Sequence, residues 1–205
     1  MKTVLGIDAS TTACSAALID DGRIISWRFE AMERGQAERL NPMIGEVMAD
    51  AGCAFVDLSL VAVTTGPGAF TGIRIGLACA RAIALATGVP LAGVTSFAAL
   101  ARAIPESELE EARCNAREIL VCVEGKRRDA FVQRFDAALR PTGEAGALDA
   151  AAAARALAEG SFLIAGDGAA RLAPAFAQTD GRVRFSAAAG PPDARHVAAL
   201  GAAGG

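Results

Sequence analysis

The sequence predicts an α/β fold built from two similar domains, of which the second is reduced. The first half shows three strands in succession, then a helix, a strand and a helix, and then a further strand and helix. The same order recurs in a weaker form in the second half. The chain has 205 residues and is 53% hydrophobic, which is enough to fill the core of one large domain or two small ones.

The composition excludes several classes of protein. Charged residues make up 21% of the chain, which rules out a disordered, solvated polypeptide. The net charge of −3 argues against holding nucleic acid through bulk electrostatics alone. His196 is the single histidine, so most metal hydrolases and most imidazole-based catalysis are excluded. Five cysteines without a C-x-x-C pair indicate reduced, buried thiols in a cytosolic protein.

The first domain is expected to open with an antiparallel meander. Its strands are predicted at Thr3–Ile7, Ala13–Ile19 and Arg23–Phe29, and Asp20-Asp21-Gly22 forms the second turn. In residues Gln36–Asp50 the apolar side chains then recur at the spacing of one helix face. The meander and this helix therefore begin the domain.

A strand, a helix, a strand and a short helix complete the first domain. The strand Ser59–Thr65 leads into the loop Gly66–Gly72, which opens a second helix that extends to about Thr87. Leu91–Val94 and Phe97–Ala103 supply the last strand and helix. The domains are therefore residues 1–103 and 104–205.

The second domain has fewer clear elements. Pro105 and the acidic run after it mark a surface connection at the boundary. Strands are predicted at Ile119–Val123, Ala130–Phe135 and Phe162–Ala165, and a helix at Ala150–Ala158. The basic run Lys126-Arg127-Arg128 is interpreted as a solvated turn. The Gly-, Ala- and Pro-rich tail after Ala187 is expected to be poorly ordered.

No membrane association is expected. The longest apolar stretch, Ile73–Val94, contains Arg74 and Arg81 and is broken by Gly88 and Pro90, whereas a span needs ~20 uncharged apolar residues. We interpret it as a buried helix followed by a strand. Since Asp8 also interrupts the amino-terminal apolar run, a secretory signal is not indicated and the expected location is cytoplasmic.

Polar residues after the first strand form a candidate nucleotide site. Asp8 follows the strand, and Ser10 and Thr11 lie in the next turn. Actin-like, Hsp70-like and sugar-kinase ATPases present a carboxylate to magnesium and hydroxyls to phosphates in this way. Glu124 could supply a second carboxylate, and Gly166-Asp167-Gly168 the turn over an adenosine. The order of these motifs predicts an ASKHA (actin-like ATPase/RNase H-like) fold, without showing that a nucleotide binds.

The loop around Gly66 and Gly68 has two explanations. Free N–H groups at a helix amino terminus and glycine turns favour an anion. The same glycines could instead allow a tight reversal and close helix packing. No lysine follows the last glycine, so the loop is not a Walker A motif.

The two helices of the first domain are candidates for a subunit interface. The second is apolar nearly all round, and its small residues Gly72, Gly76, Ala80 and Ala84 form a ridge that would allow another helix to approach closely. Either both helices cover only their own sheet, or they also bind a partner, which is the explanation we favour. The predicted interface residues are Leu40, Met43, Ile44, Val47, Met48, Ile73, Gly76, Leu77, Ala80 and Ala84.

Four segments of the chain resemble the bacterial TsaB (YeaZ) family, a non-catalytic paralogue of the TsaD threonylcarbamoyltransferase. The segments are Gly6–Thr11, Glu38–Ile44, Val61–Leu77 with its G-P-G-x-F-T-G-I-R run, and Pro90–Ser96. The resemblance covers most of residues 3–100 and is specific there. It implies an ASKHA fold of two actin-like domains.

The resemblance also implies a function and partners. Such proteins act in making threonylcarbamoyladenosine, next to the anticodon of tRNAs that read codons beginning with A. The implied partners are a TsaD-type catalytic subunit that dimerises with the chain's two helices, a TsaE-type ATPase, and tRNA only within the complex. Alone, the chain would form a homodimer through the same helices. No tightly bound cofactor is expected, and ATP or ADP only at a partner interface.

A non-catalytic role follows from the residues too. The catalytic paralogue holds its metal with a His-x-x-x-His pair, whose matching positions here are Ser96 and Leu100. We therefore expect no metal site and no catalytic residue. The alternative is a stand-alone ATPase or small-molecule kinase that uses Asp8 and Glu124. A glycoprotease-like hydrolase lacks a nucleophile–base pair, because His196 is the only imidazole.

Overall fold

The computed structural model describes residues 2–125, 129–176 and 181–204. The chain divides into two compact units. Unit 1 comprises Met1–Ala99 and Pro192–Gly205, and unit 2 comprises Leu100–Pro191. Each unit contains one five-stranded sheet. The basic run Lys126-Arg127-Arg128 lies outside the described residues, so its interpretation as a solvated turn stays a prediction.

The sheet of unit 1 confirms the predicted meander and the two strands after it. Its strands are β1 (Thr3–Asp8), β2 (Ala13–Asp20), β3 (Arg23–Ala31), β4 (Leu60–Gly66) and β5 (Leu91–Thr95). They lie in the order β3-β2-β1-β4-β5. The meander strands pair antiparallel, whereas β4 pairs parallel to β1 and β5 parallel to β4.

Helices cover both faces of this sheet. They are α1 (Gln36–Asp50), α2 (Phe70–Thr87) and α3 (Ser96–Arg102), and a short 3-10 turn lies at Phe55–Asp57. On one face, Leu5 and Ile7 of β1 join a core cluster with α1 and α2. On the other face, Val4 packs with Val197 and Ala198. Burial on two sides explains why the inner strands are almost wholly apolar.

The prediction of a poorly ordered carboxyl-terminal tail within the second domain is wrong. Residues Ala194–Gly204 form a helix, α7, that packs on the sheet of unit 1. The sequence hides this because the helix is rich in Ala and Gly, which here serve close packing. A Cβ on Gly201 would lie 2.5 Å from the Cβ of Ala62, and the Ala194 N–H donates to Ser15 Oγ at 3.0 Å. The helix α7, at the end of the described chain, is therefore part of unit 1.

Unit 2 has the strand order of unit 1 with much shorter helices. Its strands are β6 (Glu118–Glu124), β7 (Ala130–Phe135), β8 (Gly146–Leu148), β9 (Phe162–Ala165) and β10 (Val183–Phe185). They lie in the order β10-β9-β6-β7-β8. Its helices are α4 (Glu106–Cys114), α5 (Ala150–Ala156) and α6 (Ala169–Leu172), and a 3-10 turn lies at Ala173–Phe176. These elements confirm the expectation that the second domain resembles the first and is reduced.

The predicted boundary also needs correction. The acidic run after Pro105 is the helix α4, not a surface connection. Leu109 and Ala112 bury one side of α4, and Glu108 accepts hydrogen bonds from Ser186 Oγ at 2.5 Å and the Ala187 N–H at 3.0 Å. The change of unit falls inside α3, between residues 99 and 100.

Candidate functional site

Most of the predicted interface residues are core residues of unit 1, which corrects that prediction. Leu40, Met43, Ile44, Val47 and Met48 of α1 are at most 3% exposed, and Gly76 and Ala80 of α2 are buried. They pack on the unit's own sheet, because the apolar stripe of an amphipathic helix faces the sheet that needs covering. These side chains cannot contact a partner. Ile73, Leu77 and Ala84 are partly exposed, and their interface role stays a prediction.

The small-residue ridge of α2 faces the sheet rather than another helix. A Cβ on Gly72 would lie 2.0 Å from the carbonyl oxygen of Ala9, and one on Gly76 would lie 3.6 Å from Val63. The ridge therefore lets α2 lie close to β1 and β4, where a larger side chain would clash with the backbone. The opposite side of α2 is consequently turned outward.

This outward side of α2 is the most apolar exposed feature of unit 1. Over its 18 residues the mean hydropathy is 1.3, yet only 17% of these residues are buried. Phe70 is 63% exposed and Leu85 is 88% exposed, and Ala78 and Ala82 lie on the exposed side between them. In the described residues, α2 is the one helix with the length and composition of a membrane span. We call the exposed residues Phe70, Arg74, Ala78, Arg81, Ala82 and Leu85 the outer face of α2.

Sequence reasoning missed the large residues of the outer face, although a signal was present. Gly72, Gly76 and Ala80 recur every four residues and mark one side of the helix. If this ridge is taken as the side of α2 that touches the sheet, Phe70 and Leu85 are placed on the side away from the sheet. The error was to assign the ridge to a partner.

The candidate nucleotide residues are buried side by side in unit 1. Asp8 and Ser10 are fully buried, and Thr11 is 5% exposed. The Ser10 hydroxyl donates to Asp8 Oδ1 at 2.7 Å, and the Ser96 hydroxyl lies 3.3 Å from Ser10 Oγ. These contacts link Asp8, Ser10 and Ser96 into a buried polar chain. Whether the residues also bind a nucleotide stays a prediction.

The glycine loop after β4 lies directly on this turn. A Cβ on Gly68 would lie 2.1 Å from the Ser10 carbonyl oxygen, and the Ala69 N–H donates to that oxygen at 2.6 Å. Gly66 has a φ of 105°, in the left-handed region that favours glycine. Of the two explanations, the contacts favour close packing, because an amide at the start of α2 is satisfied by the chain itself.

The corresponding residues of unit 2 are also engaged within their own unit. The Glu124 carboxylate pairs with the Arg171 guanidinium at 2.6 Å, and Asp167 Oδ1 accepts the Glu124 N–H at 2.9 Å. A Cβ on Gly166 would lie 2.2 Å from the Cys122 carbonyl oxygen. The Gly166-Asp167-Gly168 turn therefore packs on the end of β6, as the Gly66–Gly68 loop packs on the turn after β1.

The residues available for chemistry are few. Among the described residues, no group of three or more His, Cys, Asp or Glu side chains is placed to hold a metal ion. Ser96 and Leu100 occupy the two positions that were matched to metal ligands. Both residues are buried, and the Ser96 hydroxyl is hydrogen bonded to Ser10 Oγ. Burial raises the pKa of the Cys14 thiol to about 12, and the Asp8 charge adds to the shift. Such a thiol stays protonated and is a poor nucleophile at neutral pH.

Comparisons with known proteins point to one family. Residues 30–190 match the family model of TsaD, tRNA N6-adenosine threonylcarbamoyltransferase. The chain is 36% identical over 99 residues to the tRNA threonylcarbamoyladenosine biosynthesis protein TsaB of Escherichia coli. That match covers 48% of this chain and 42% of the relative, so the chain spans less than half of the relative's length.

Solved structures agree over nearly the whole chain. YeaZ from Pseudomonas aeruginosa superimposes with a TM-score of 0.73 at 25% identity, covering 98% of this chain and 90% of that one. A polyphosphate/ATP-glucomannokinase from Arthrobacter superimposes with a TM-score of 0.51 at 14% identity, covering 99% and 98%. The second likeness shows the fold alone, which is the ASKHA architecture predicted from the order of the motifs.

Proposed function

Because this chain belongs to the TsaB (YeaZ) family, we propose that it is a non-catalytic subunit of the system that makes threonylcarbamoyladenosine on tRNA. In this role it stabilises and activates a TsaD-type threonylcarbamoyltransferase. The product is the modified adenosine next to the anticodon of tRNAs that read codons beginning with A. The match to the TsaD family model and the TsaB relative support a place in this system.

The observation that carries the proposal is the outer face of α2. A helix that served only to cover its sheet would place large apolar side chains inward and charged ones outward. Here Ile75, Leu77 and Ile83 do pack against the core beside the small-residue ridge. Phe70 and Leu85, however, are large apolar side chains that face solvent. Burying such residues against a partner would supply about 25 cal/mol for each Å² of apolar surface removed from water. The proposed partner of this face is the TsaD-type subunit.

The side chains of the polar chain support a subunit that does no chemistry itself. Asp8, Ser10 and Ser96 hydrogen bond to one another and are shielded from solvent. The Cys14 thiol beside them stays protonated because its pKa is raised. We propose that the transfer step and its metal belong to the TsaD-type subunit.

The remaining parts of the proposal concern assembly. We propose that the chain forms a weak homodimer through α1 and α2 when alone, which the TsaD-type subunit displaces. A TsaE-type ATPase joins the pair, tRNA binds only to the complete complex, and ATP or ADP binds only at a partner interface. All of these steps would take place in the cytoplasm.

The experiment mixes the purified chain with the TsaD-type subunit encoded in the same genome and measures mass in solution. A one-to-one complex is expected, and formation of threonylcarbamoyladenosine by the complete system should depend on this chain. A Leu85→Glu variant should fold normally but lose the complex, because a carboxylate would be buried against an apolar partner.

The matched control is Ile25→Glu. Ile25 is 48% exposed on β3, the edge strand that is separated by two strands from β4, on which α2 packs. This variant should bind the TsaD-type subunit as the wild type does. A persistent monomer on mixing, with no effect on tRNA modification, would contradict the proposal.

A further inference from the structure

Two arginines are the only charged side chains of α2. Arg74 and Arg81 are both exposed, and in the part of the chain that the structure describes neither has a carboxylate within 4 Å. Some other arginines of unit 1 are paired with carboxylates. Arg39 pairs with Glu30 at 2.6 Å and with Glu46 at 2.7 Å, for example. The outer face of α2 therefore combines apolar surface with uncompensated positive charge.

The spacing places both arginines on the same side of the helix. They lie seven residues apart, which is about two turns and about 10.5 Å along the axis. Ala78 lies between them, and Phe70 and Leu85 lie at the two ends of the face. The Arg74 guanidinium stacks on the Phe70 ring at 3.8 Å, which joins the charge to the apolar end of the face.

We propose that Arg74 and Arg81 determine which protein covers the outer face of α2: they select a partner helix or sheet face that is apolar and carries carboxylates, and they disfavour direct contact with the same helix of a second copy of this chain. The inference rests on the proposed function, since it specifies the chemistry of the surface that the TsaD-type subunit would present. It also gives a physical reason why that subunit would displace a homodimer.

The argument against a second copy is one of charge. Because α2 carries no acidic residue, contact between two copies of this helix brings positive charge only against positive charge. In a parallel arrangement Arg74 meets its own equivalent. In an antiparallel arrangement centred between Leu77 and Ala78, Arg74 of one copy lies beside Arg81 of the other. Like charges at an interface weaken it and exclude wrong partners.

The small residues favour a protein over a membrane surface. Ala78 and Ala82 lie on the outer face between its two large residues, and they would allow another backbone to approach closely. Helices that lie in a membrane interface place large apolar side chains along the whole buried face. The outer face has large apolar side chains only at its ends, Phe70 and Leu85.

The test compares the wild type with the double variant R74Q/R81Q. Dissociation constants for the TsaD-type subunit are measured at 50 and 500 mM NaCl, and self-association is measured by sedimentation. We expect the double variant to bind the TsaD-type subunit about tenfold more weakly at low salt and to lose most of the salt dependence seen in the wild type. Its self-association should become stronger than that of the wild type.

The control is R23Q/R155Q, which changes the net charge equally. Arg23 on β3 and Arg155 on α5 are exposed, and this variant should behave as the wild type does in both assays. Reversing both charges in R74E/R81E should weaken the complex more than neutralising them in R74Q/R81Q, because carboxylates would then face the partner's carboxylates.

Three results would overturn the inference. If the wild type binds the TsaD-type subunit and R74Q/R81Q binds it equally well with the same salt dependence, the inference fails and the proposed function stands. If the wild type forms no complex at all, both fail. If anionic phosphatidylglycerol vesicles bind the wild type but not R74Q/R81Q, while the TsaD-type complex is unaffected, the arginines serve a lipid surface instead.

Discussion

Units 1 and 2 share a strand order and differ in their helices. In both sheets the first strand is central, pairs antiparallel with the second and pairs parallel with the fourth. The helices between corresponding strands have 15 and 18 residues in unit 1, but 7 and 4 residues in unit 2. Similar sheets therefore support helices of very different size.

The difference shows which parts of unit 1 exceed what its sheet needs. In unit 2, α6 lies at the position of α2 and buries Ala169 and Leu172. The 3-10 turn Ala173–Phe176 follows it directly and buries Phe176. In unit 1, α2 continues for 18 residues and leaves Leu85, near its end, 88% exposed. Apolar surface in water is unfavourable, so this exposed length of α2 is the feature on which the proposed binding role rests.

The largest expected effect separates core from surface within unit 1. Met43→Ala should destabilise the fold by about 2–5 kcal/mol, because the side chain is fully buried and a cavity would remain. Leu85→Ala should change stability by less than about 0.5 kcal/mol, since the residue is largely exposed. Urea unfolding of both variants checks this. Equal losses of stability would show that α2 is covered within the single chain.

A smaller effect is expected at the helix–sheet contact of α2. Gly72→Ala should destabilise unit 1 by about 2–3 kcal/mol, because the added Cβ would lie 2.0 Å from the Ala9 carbonyl oxygen. Gly45→Ala in α1 is the control, with nothing within 4 Å, and should stabilise by about 0.5–1 kcal/mol. Thermal unfolding measures both. Stabilisation by both substitutions would mean that α2 lies further from the sheet.

Unit 2 has a corresponding close contact between a glycine and its sheet, which allows a matching test. Gly168 precedes α6, has an ordinary φ of −83°, and would place a Cβ 2.7 Å from the Val123 carbonyl carbon. Gly168→Ala should therefore destabilise unit 2, by less than Gly72→Ala destabilises unit 1, because the overlap is smaller. Hydrogen exchange resolved by unit would show the loss. Exchange that rises in unit 1 alone would contradict this assignment.

The smallest effect concerns one buried thiol in each unit. Burial raises the pKa values of Cys14 and Cys122 to about 12, against about 9 for an exposed thiol. Alkylation at pH 8.5 should therefore modify the exposed Cys114 and spare these two until the protein unfolds, as peptide mass spectrometry can show. Prompt alkylation of either buried thiol would contradict the structure.

The same pKa shifts give the direction of a pH effect on stability. Between pH 9 and pH 12 the unfolded chain loses these two thiol protons while the folded chain keeps them. The unfolded state therefore binds fewer protons, so the free energy of unfolding should fall as the pH rises through this range. Replacing Cys14 and Cys122 with alanine should reduce the slope.

Local patterns in the sequence were enough to find most elements. The helical spacing over Gln36–Asp50 and the turn Asp20-Asp21-Gly22 are short-range signals, and the structure confirms both elements that they predicted. The helix α7 could not be found in this way, because alanine and glycine at its positions are also typical of a flexible tail. What makes α7 a helix of unit 1 is a surface on β1 and β4 that accepts small residues.

The features of α2 also divide into those that the sequence determines and those that only the structure determines. The sequence by itself determined that α2 is apolar, that its only charges are Arg74 and Arg81, and that glycines open it. Only the tertiary structure decided which side of α2 touches the sheet and which side is exposed to solvent. The physical reason is that periodicity places residues on a common helix face, whereas the direction of that face depends on the close backbone contacts of Gly72 and Gly76.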